Sequence, residues 1–185
     1  MTTIRLTTWV NAPVERCFQL ATSAAMSFPV SESLPASGVR IGPLQIGDFI
    51  RWQMGLGKAR LEYRSRIDVI RPCSYFREVM AAQGVFLYYE HDHHFARMDD
   101  GTRVRNEIRF TTRLGVLGRP LELTLFRTGL IQMLARRNAR LKRIAESNEW
   151  QRYLDPRNVE ALAAKQLEKL STAESQNRIN MQRFA

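Results

Sequence analysis

The sequence predicts an α+β domain: an antiparallel sheet packed on one long helix near the C-terminus. Three observations carry this. Residues Phe86 to Phe110 read as two strands around Asp100-Gly101, a strong hairpin signal. Several earlier stretches alternate apolar and polar side chains with the period of a half-buried strand. From Leu130 to about Ser147 the apolar residues recur at helical spacing. With 185 residues, of which 44% are apolar and 25% charged, the chain is long enough to bury a core within one domain.

Taken in order, Ile4, Leu6, Thr8 and Val10 alternate with Arg5, Thr7 and Trp9, a strand pattern. Asn11-Ala12-Pro13 closes it, with Asn11 suited to cap a helix and Pro13 to enter its first turn. Val14, Cys17, Phe18 and Ala21 follow at helical spacing. Residues 24–47 read as irregular, broken by Pro29, Pro35, Gly38, Gly42, Pro43 and Gly47. Asp48 to Met54 is extended, and Gly55-Leu56-Gly57 is a connection rather than a phosphate loop, because it lacks the G-x-G-x-x-G spacing. Leu61, Tyr63, Ser65, Ile67 and Val69 form one face of a strand ended by Arg71-Pro72, and Tyr75 to Met80 is a shorter strand. After the hairpin, Leu114 to Gly118 is a loop, Pro120 opens a helix, and Gly129 divides a short lead-in from the long helix. Leu130, Leu134, Leu141 and Ala145 form that helix's apolar stripe, with Met133 and Ile144 at its edge. Pro156 ends the helical run, and Val159, Leu162, Ala163, Leu167 and Leu170 then mark an amphipathic segment over 157–171. The last fifteen residues are polar, with the composition of a frayed end. Residues 1–150 are therefore read as the domain, and 151–185 as an extension, partly helical and partly disordered.

In the hairpin, a two-residue loop at Asp100-Gly101 sets Asp99 opposite Thr102. Phe95 then faces Asn106, His93 faces Ile108 and His91 faces Phe110, while Asp92 meets Arg109 and His94 meets Glu107 on the other side. The inward face becomes Leu87, Tyr89, His91, His93, Phe95, Val104, Asn106, Ile108 and Phe110. Two imidazoles and an amide on a core-facing surface cost free energy unless partnered, so they are the first functional clue.

Three stretches resemble a known superfamily. WVNAPVERCFQLATS, with GPLQIGDFIRWQM further on, resembles the START-like, or SRPBCC, proteins, which include the polyketide cyclases, the birch pollen allergen and lipid-transfer domains. HDHHF followed by GTRVRNEIRF is similar to the H-x-H-x-F…GT…(D/N)E pattern of a bacterial branch of that superfamily. The resemblance covers about residues 3–148. It implies a helix-grip fold, in which a curved sheet wraps the long helix and leaves an internal ligand cavity. It does not imply a reaction, because one fold hosts unrelated activities.

On that basis Tyr63, Tyr89, His91, His93, Asn106, Ile108, Leu134, Arg137 and Leu141 are the candidate ligand-binding residues. The expected ligand is a hydrophobic or amphipathic small molecule, held for transport, sensing or sequestration. The alternative is a cyclase/dehydrase-like enzyme in which the histidines act as general acid and base; histidines satisfied structurally remain a third reading. His91 and His93 also have the spacing of two metal ligands on one strand, but His94 points away and no inward carboxylate is evident on the paired strand. No metal or other cofactor is therefore expected. Arg137 falls at the centre of the helix's apolar stripe, so it must either snorkel to water or meet an anion, such as the acidic head of a ligand. Cys17 lies on an apolar helix face and reads as core.

The formal charge of +10 is concentrated in residues 101–145, which hold 11 basic and 2 acidic side chains. The patch is either a solvated helix face or a surface for anions; peripheral contact with an anionic membrane stays open. Nucleic acid is not expected, since no aromatics are interleaved for base stacking. Two unpaired cysteines, with no leader or spanning segment in evidence, point to a cytoplasmic protein. The 157–171 helix packs either on the domain or on a second copy as a homodimer.

Overall fold

A computed structural model describes residues 1–23, 33–35, 43–56, 59–81, 85–113 and 122–155. Among the described residues seven strands form one open, curved antiparallel sheet: β1 (Thr2–Val10), β2 (Ser33–Pro35), β3 (Phe49–Leu56), β4 (Ala59–Arg71), β5 (Tyr75–Met80), β6 (Phe86–Met98) and β7 (Gly101–Thr112), in the spatial order β1-β7-β6-β5-β4-β3-β2. Helix α1 (Val14–Ala21) follows β1. A π-helical turn (Glu122–Phe126) leads directly into the long helix α2 (Arg127–Ala145), and α3 (Trp150–Leu154) closes the described chain. Helix α2 lies against the concave face, packing from β1 across to β3.

The hairpin differs from its expected register by two residues. The loop is Asp99-Asp100, and Gly101 begins β7 opposite Met98. His93 therefore faces Asn106, His91 faces Ile108, Phe95 faces Val104, and Asp92 sits opposite Glu107 rather than Arg109. The reason lies outside the hairpin. Gly101 has φ +146° and packs beneath the end of β1, where a Cβ would stand 2.2 Å from the Val10 carbonyl oxygen. The glycine is used for close backbone approach rather than for the turn. A shift of two residues preserves both faces, so His91, His93 and Asn106 still point inward. Arg109 still reaches Asp92 diagonally.

Leu87 is the exception on the inward face. A bulge between Phe86 and Tyr88 turns Leu87 outward, 64% exposed, and places Phe86 in the core. Three further expectations are corrected. Asn11 does not cap α1: Pro13 holds the N-cap position without a side-chain bond, and the Asn11 N–H instead reaches the Glu146 carboxylate at 2.7 Å. Gly129 does not interrupt the helix; the change of geometry comes earlier, where the π-turn meets Arg127, and Gly129 is buried inside α2. Residues 33–35, expected to be irregular, form β2 and pair with β3. The loop at 114–118, Pro120 and the segment 157–171 lie outside the described residues.

The stripe of α2 is buried as the periodicity requires: Leu130, Leu134, Leu141 and Ala145, with Met133 and Ile144 beside them. It meets an aromatic layer on the sheet, in which Phe86 packs edge-on against Phe110, Tyr63 and Phe126. Helix α3 seals the end of α1, where the Arg16 guanidinium lies 4.7 Å from the Trp150 ring and Ser23 Oγ bonds the Tyr153 carbonyl. Both cysteines are free thiols, Cys17 in the core and Cys73 partly exposed. Among the described residues no helix is long and apolar enough to cross a membrane.

Candidate functional site

Strand pairing assembles a polar cluster in the middle of the apolar concave face. Glu78 on β5 sits directly across from His91 on β6, and His93 is flanked by Phe76 on one side and Asn106 on the other. Glu78 and His91 have no exposed surface; His93 and Asn106 have almost none. Glu78 is the residue that the sequence reading missed, and it supplies the inward carboxylate sought on the wrong neighbouring strand. The signal was present: Phe76, Glu78 and Met80 share one face of β5, and a lone acid between two apolar residues there is unusual.

The hydrogen bonds run in two connected groups. One Glu78 oxygen, Oε2, accepts from Ser65 Oγ at 2.8 Å and from Trp52 Nε1 at 3.0 Å. The other, Oε1, accepts from His93 Nε2 at 3.1 Å and from Arg137 Nη1 at 3.3 Å. In the second group His91 Nε2 lies 3.1 Å from Asn106 Oδ1, Asn106 Nδ2 donates to Asn138 Oδ1 at 3.2 Å, and Asn138 Nδ2 donates to Thr8 Oγ1 at 2.9 Å. Because a carboxylate and an amide oxygen only accept, both histidines are assigned here as Nε2–H tautomers. His91 Nδ1 is then a buried lone pair without a hydrogen-bond partner. The two imidazoles lie 3.7 Å apart between ring centroids, and His93 stacks on Phe76 at 3.9 Å.

Burial dominates the electrostatics. Desolvation drives the pKa of His91 well below the ordinary value, reinforced by His93. It does the same for His93, reinforced by the Arg137 charge. Both rings are neutral near pH 7, so the His93–Glu78 contact is a hydrogen bond to a carboxylate rather than an ion pair. Tyr63 and Tyr89, whose hydroxyls lie 3.3 Å apart, are pushed upward by burial and stay protonated.

Arg137 meets an anion, but one supplied by the sheet rather than by a ligand. It neither snorkels to water nor waits for an external acid: its anion is Glu78. Its side chain is only 16% exposed, its Nη2 donates to the Ala21 carbonyl at 3.4 Å, and its guanidinium lies 4.9 Å from the Trp52 ring. The remaining candidate residues are all brought to the same interface. Tyr63, Tyr89, Ile108, Leu134 and Leu141 are buried around the cluster, with Tyr63 also touching Met133 Sδ at 3.6 Å.

The void found among the described residues, where the resemblance implies a ligand cavity, is small. Among the described residues the space between sheet and α2 keeps a void of about 10 Å³, edged by His93, Asn106, Arg137 and Asn138 and by Phe95 and Leu141. That is the room of one water. A larger recess of about 480 Å³ lies at the outer tip of the hairpin, beside Trp9, Met98 and Lys142. It holds none of the buried titratable groups, so the smaller void marks the site.

No protein-family model and no curated protein matches the sequence. Solved structures do match. The chain is similar to a START superfamily protein from Mycobacterium smegmatis, with a TM-score of 0.57 and 11% identity over 78% of this chain and 97% of that one. It is similar to the ZhuI aromatase/cyclase from Streptomyces sp. R1128, with a TM-score of 0.57 and 14% identity over 77% and 94%. It also matches half of the di-domain aromatase/cyclase BexL, with a TM-score of 0.62 and 15% identity over 80% of this chain. At these identities the likeness is one of fold. A curved antiparallel sheet around a long C-terminal helix, shared over nearly the whole length of the first two and half of the third, gives this chain the START-like, or SRPBCC, helix-grip fold.

Proposed function

We propose that the protein binds a small apolar or amphipathic molecule between the concave sheet face and α2, with a neutral polar group of the ligand against Asn106, Asn138 and His93. The observation that carries this is the placement of the void: an otherwise aromatic and aliphatic interface carries polar side chains around a gap between sheet and helix. The fold shared with a START superfamily protein and with aromatase/cyclases is consistent with this reading. The ligand's polar end is neutral because Arg137 is already matched by Glu78. Admission of anything larger than water requires lining side chains such as Leu141 or Phe95 to move. Residues 1–150 form the binding unit in this reading, with 151–185 as an extension.

The test uses Nile red, a neutral apolar dye. Saturable binding to the wild-type chain, abolished in an Asn106→Trp variant that keeps its circular dichroism spectrum, supports the reading. Absent binding, or binding unaltered by the filled void, overturns it. An acid–base enzyme is the second reading, favoured by the 3.1 Å contact between His93 and Glu78. It requires turnover of a carbonyl substrate that falls at least about a hundredfold in His93→Ala.

A further inference from the structure

We propose that Glu78, His91 and His93 form a binding site for a divalent first-row transition ion of the zinc or ferrous class. One ligand-capable atom from each residue lies within 4.8 Å of the others, and all three residues are buried. The geometry comes from the sheet: His91 and His93 share one face of β6, and Glu78 reaches the same place from β5. Two imidazoles and one carboxylate make an N2O donor set, which suits zinc, iron or cobalt rather than calcium or magnesium.

Two features favour a ligating role. The carboxylate is oriented before any ion arrives, because Trp52 and Ser65 hold Oε2 and leave Oε1 turned toward His93. Such outer hydrogen bonds are how metal sites aim their ligands. His91 Nδ1 offers a buried lone pair that nothing else uses. Tetrahedral ligation at about 2.0–2.2 Å separates ligand atoms by about 3.4 Å, so the side chains must close by about an ångström, and a His93 that ligates through Nε2 must first give up the Nε2–H it donates to Glu78 by taking its Nδ1–H tautomer. The void beside His93 has room for a water to complete the shell.

Arg137 is the competing cation. Its Nη1 now sits 3.3 Å from the Oε1 that the ion would take. On metal binding it withdraws from Glu78 and keeps the Ala21 carbonyl and the Trp52 face. Removing this charge therefore tightens metal binding. The inference does not depend on an organic ligand, and metal and dye binding are read separately.

The experiment titrates Co²⁺ into chelator-treated full-length chain, following its visible absorption, and then displaces it with Zn²⁺. One equivalent is expected, with imidazole scattering from two histidines in the cobalt X-ray absorption spectrum. Glu78→Gln and His93→Gln each weaken binding at least tenfold, and Arg137→Met tightens it severalfold. If a ligand variant does not fold, the wild-type and Arg137→Met proteins carry the test through the two-histidine signature and a metal-dependent rise in Tm. No stoichiometric Co²⁺ uptake, a spectrum without two imidazoles, or equal affinity in folded Glu78→Gln overturns the proposal.

Discussion

Replacing Arg137 by Met tests the internal ion pair and gives opposite signs for two readings. Seen only as a cation on an apolar stripe, Arg137 is a liability, and Met there is neutral or stabilising. In the structure it neutralises Glu78, so its removal leaves a buried carboxylate short of a partner. Deleting one member of a buried pair costs about 3–5 kcal/mol. Three facts move the expectation to or below the low end: the contact is 3.3 Å long, the Arg137 side chain keeps 16% exposure, and Ser65, Trp52 and His93 still donate to Glu78. We expect a loss of about 2–3 kcal/mol. For a chain of this size that lowers Tm by about 4–12 °C. The assay is urea denaturation at neutral pH with a chelator present, so that no metal offsets the lost charge. The Arg137→Met, Glu78→Gln double variant should lose about 1–2 kcal/mol less than the two single losses summed. Wild-type stability in Arg137→Met, or strict additivity, would refute the pairing.

Two other predictions test the frame that holds the site. Gly101→Ala places a Cβ 2.2 Å from the Val10 carbonyl oxygen at φ +146°. Strain and overpacking together should cost about 2–6 kcal/mol in denaturant midpoints, and a loss under about 1 kcal/mol would contradict the close approach. Glu146 is held below its ordinary pKa first by the Lys142 side chain at 2.6 Å and then by the Asn11 N–H. Because its folded value is the lower one, its contribution is present above the unfolded pKa and fades as pH falls. Glu146→Gln should therefore be less stable than wild type near neutrality, with the gap narrowing from about pH 6 to about pH 3. A gap independent of pH would remove Glu146 from this role.

Much of the fold was legible because it follows from local periodicity. The alternation of Ile4 to Val10 and of Leu61 to Val69, the Tyr75–Met80 run and the α2 stripe each needed only neighbours in sequence. The inward direction of His91, His93 and Asn106 was legible for the same reason, since side chains two apart on a strand share a face. Even the two-residue error in hairpin register left that face intact. The register itself was not legible, because Gly101 answers to the end of β1, ninety residues earlier in the chain.

The sequence by itself determined most of the side chains that line the concave face, Leu87 and Glu78 excepted, and which residues of α2 cover it, through periods of 2 and 3.6 that any packing must respect. Only the tertiary structure decided what those side chains do to one another. The order β7-β6-β5 brings Glu78 against His91, a pairing between strands whose sequence separation carries no periodic signal. The docking of α2 then turns Arg137 from an unexplained cation into the partner of that carboxylate. Burial makes the distinction matter: the same side chains in water would interact weakly, whereas in a desolvated core each unpaired group costs kilocalories, so the cluster depends on partners that the fold brings from several strands and α2 at once.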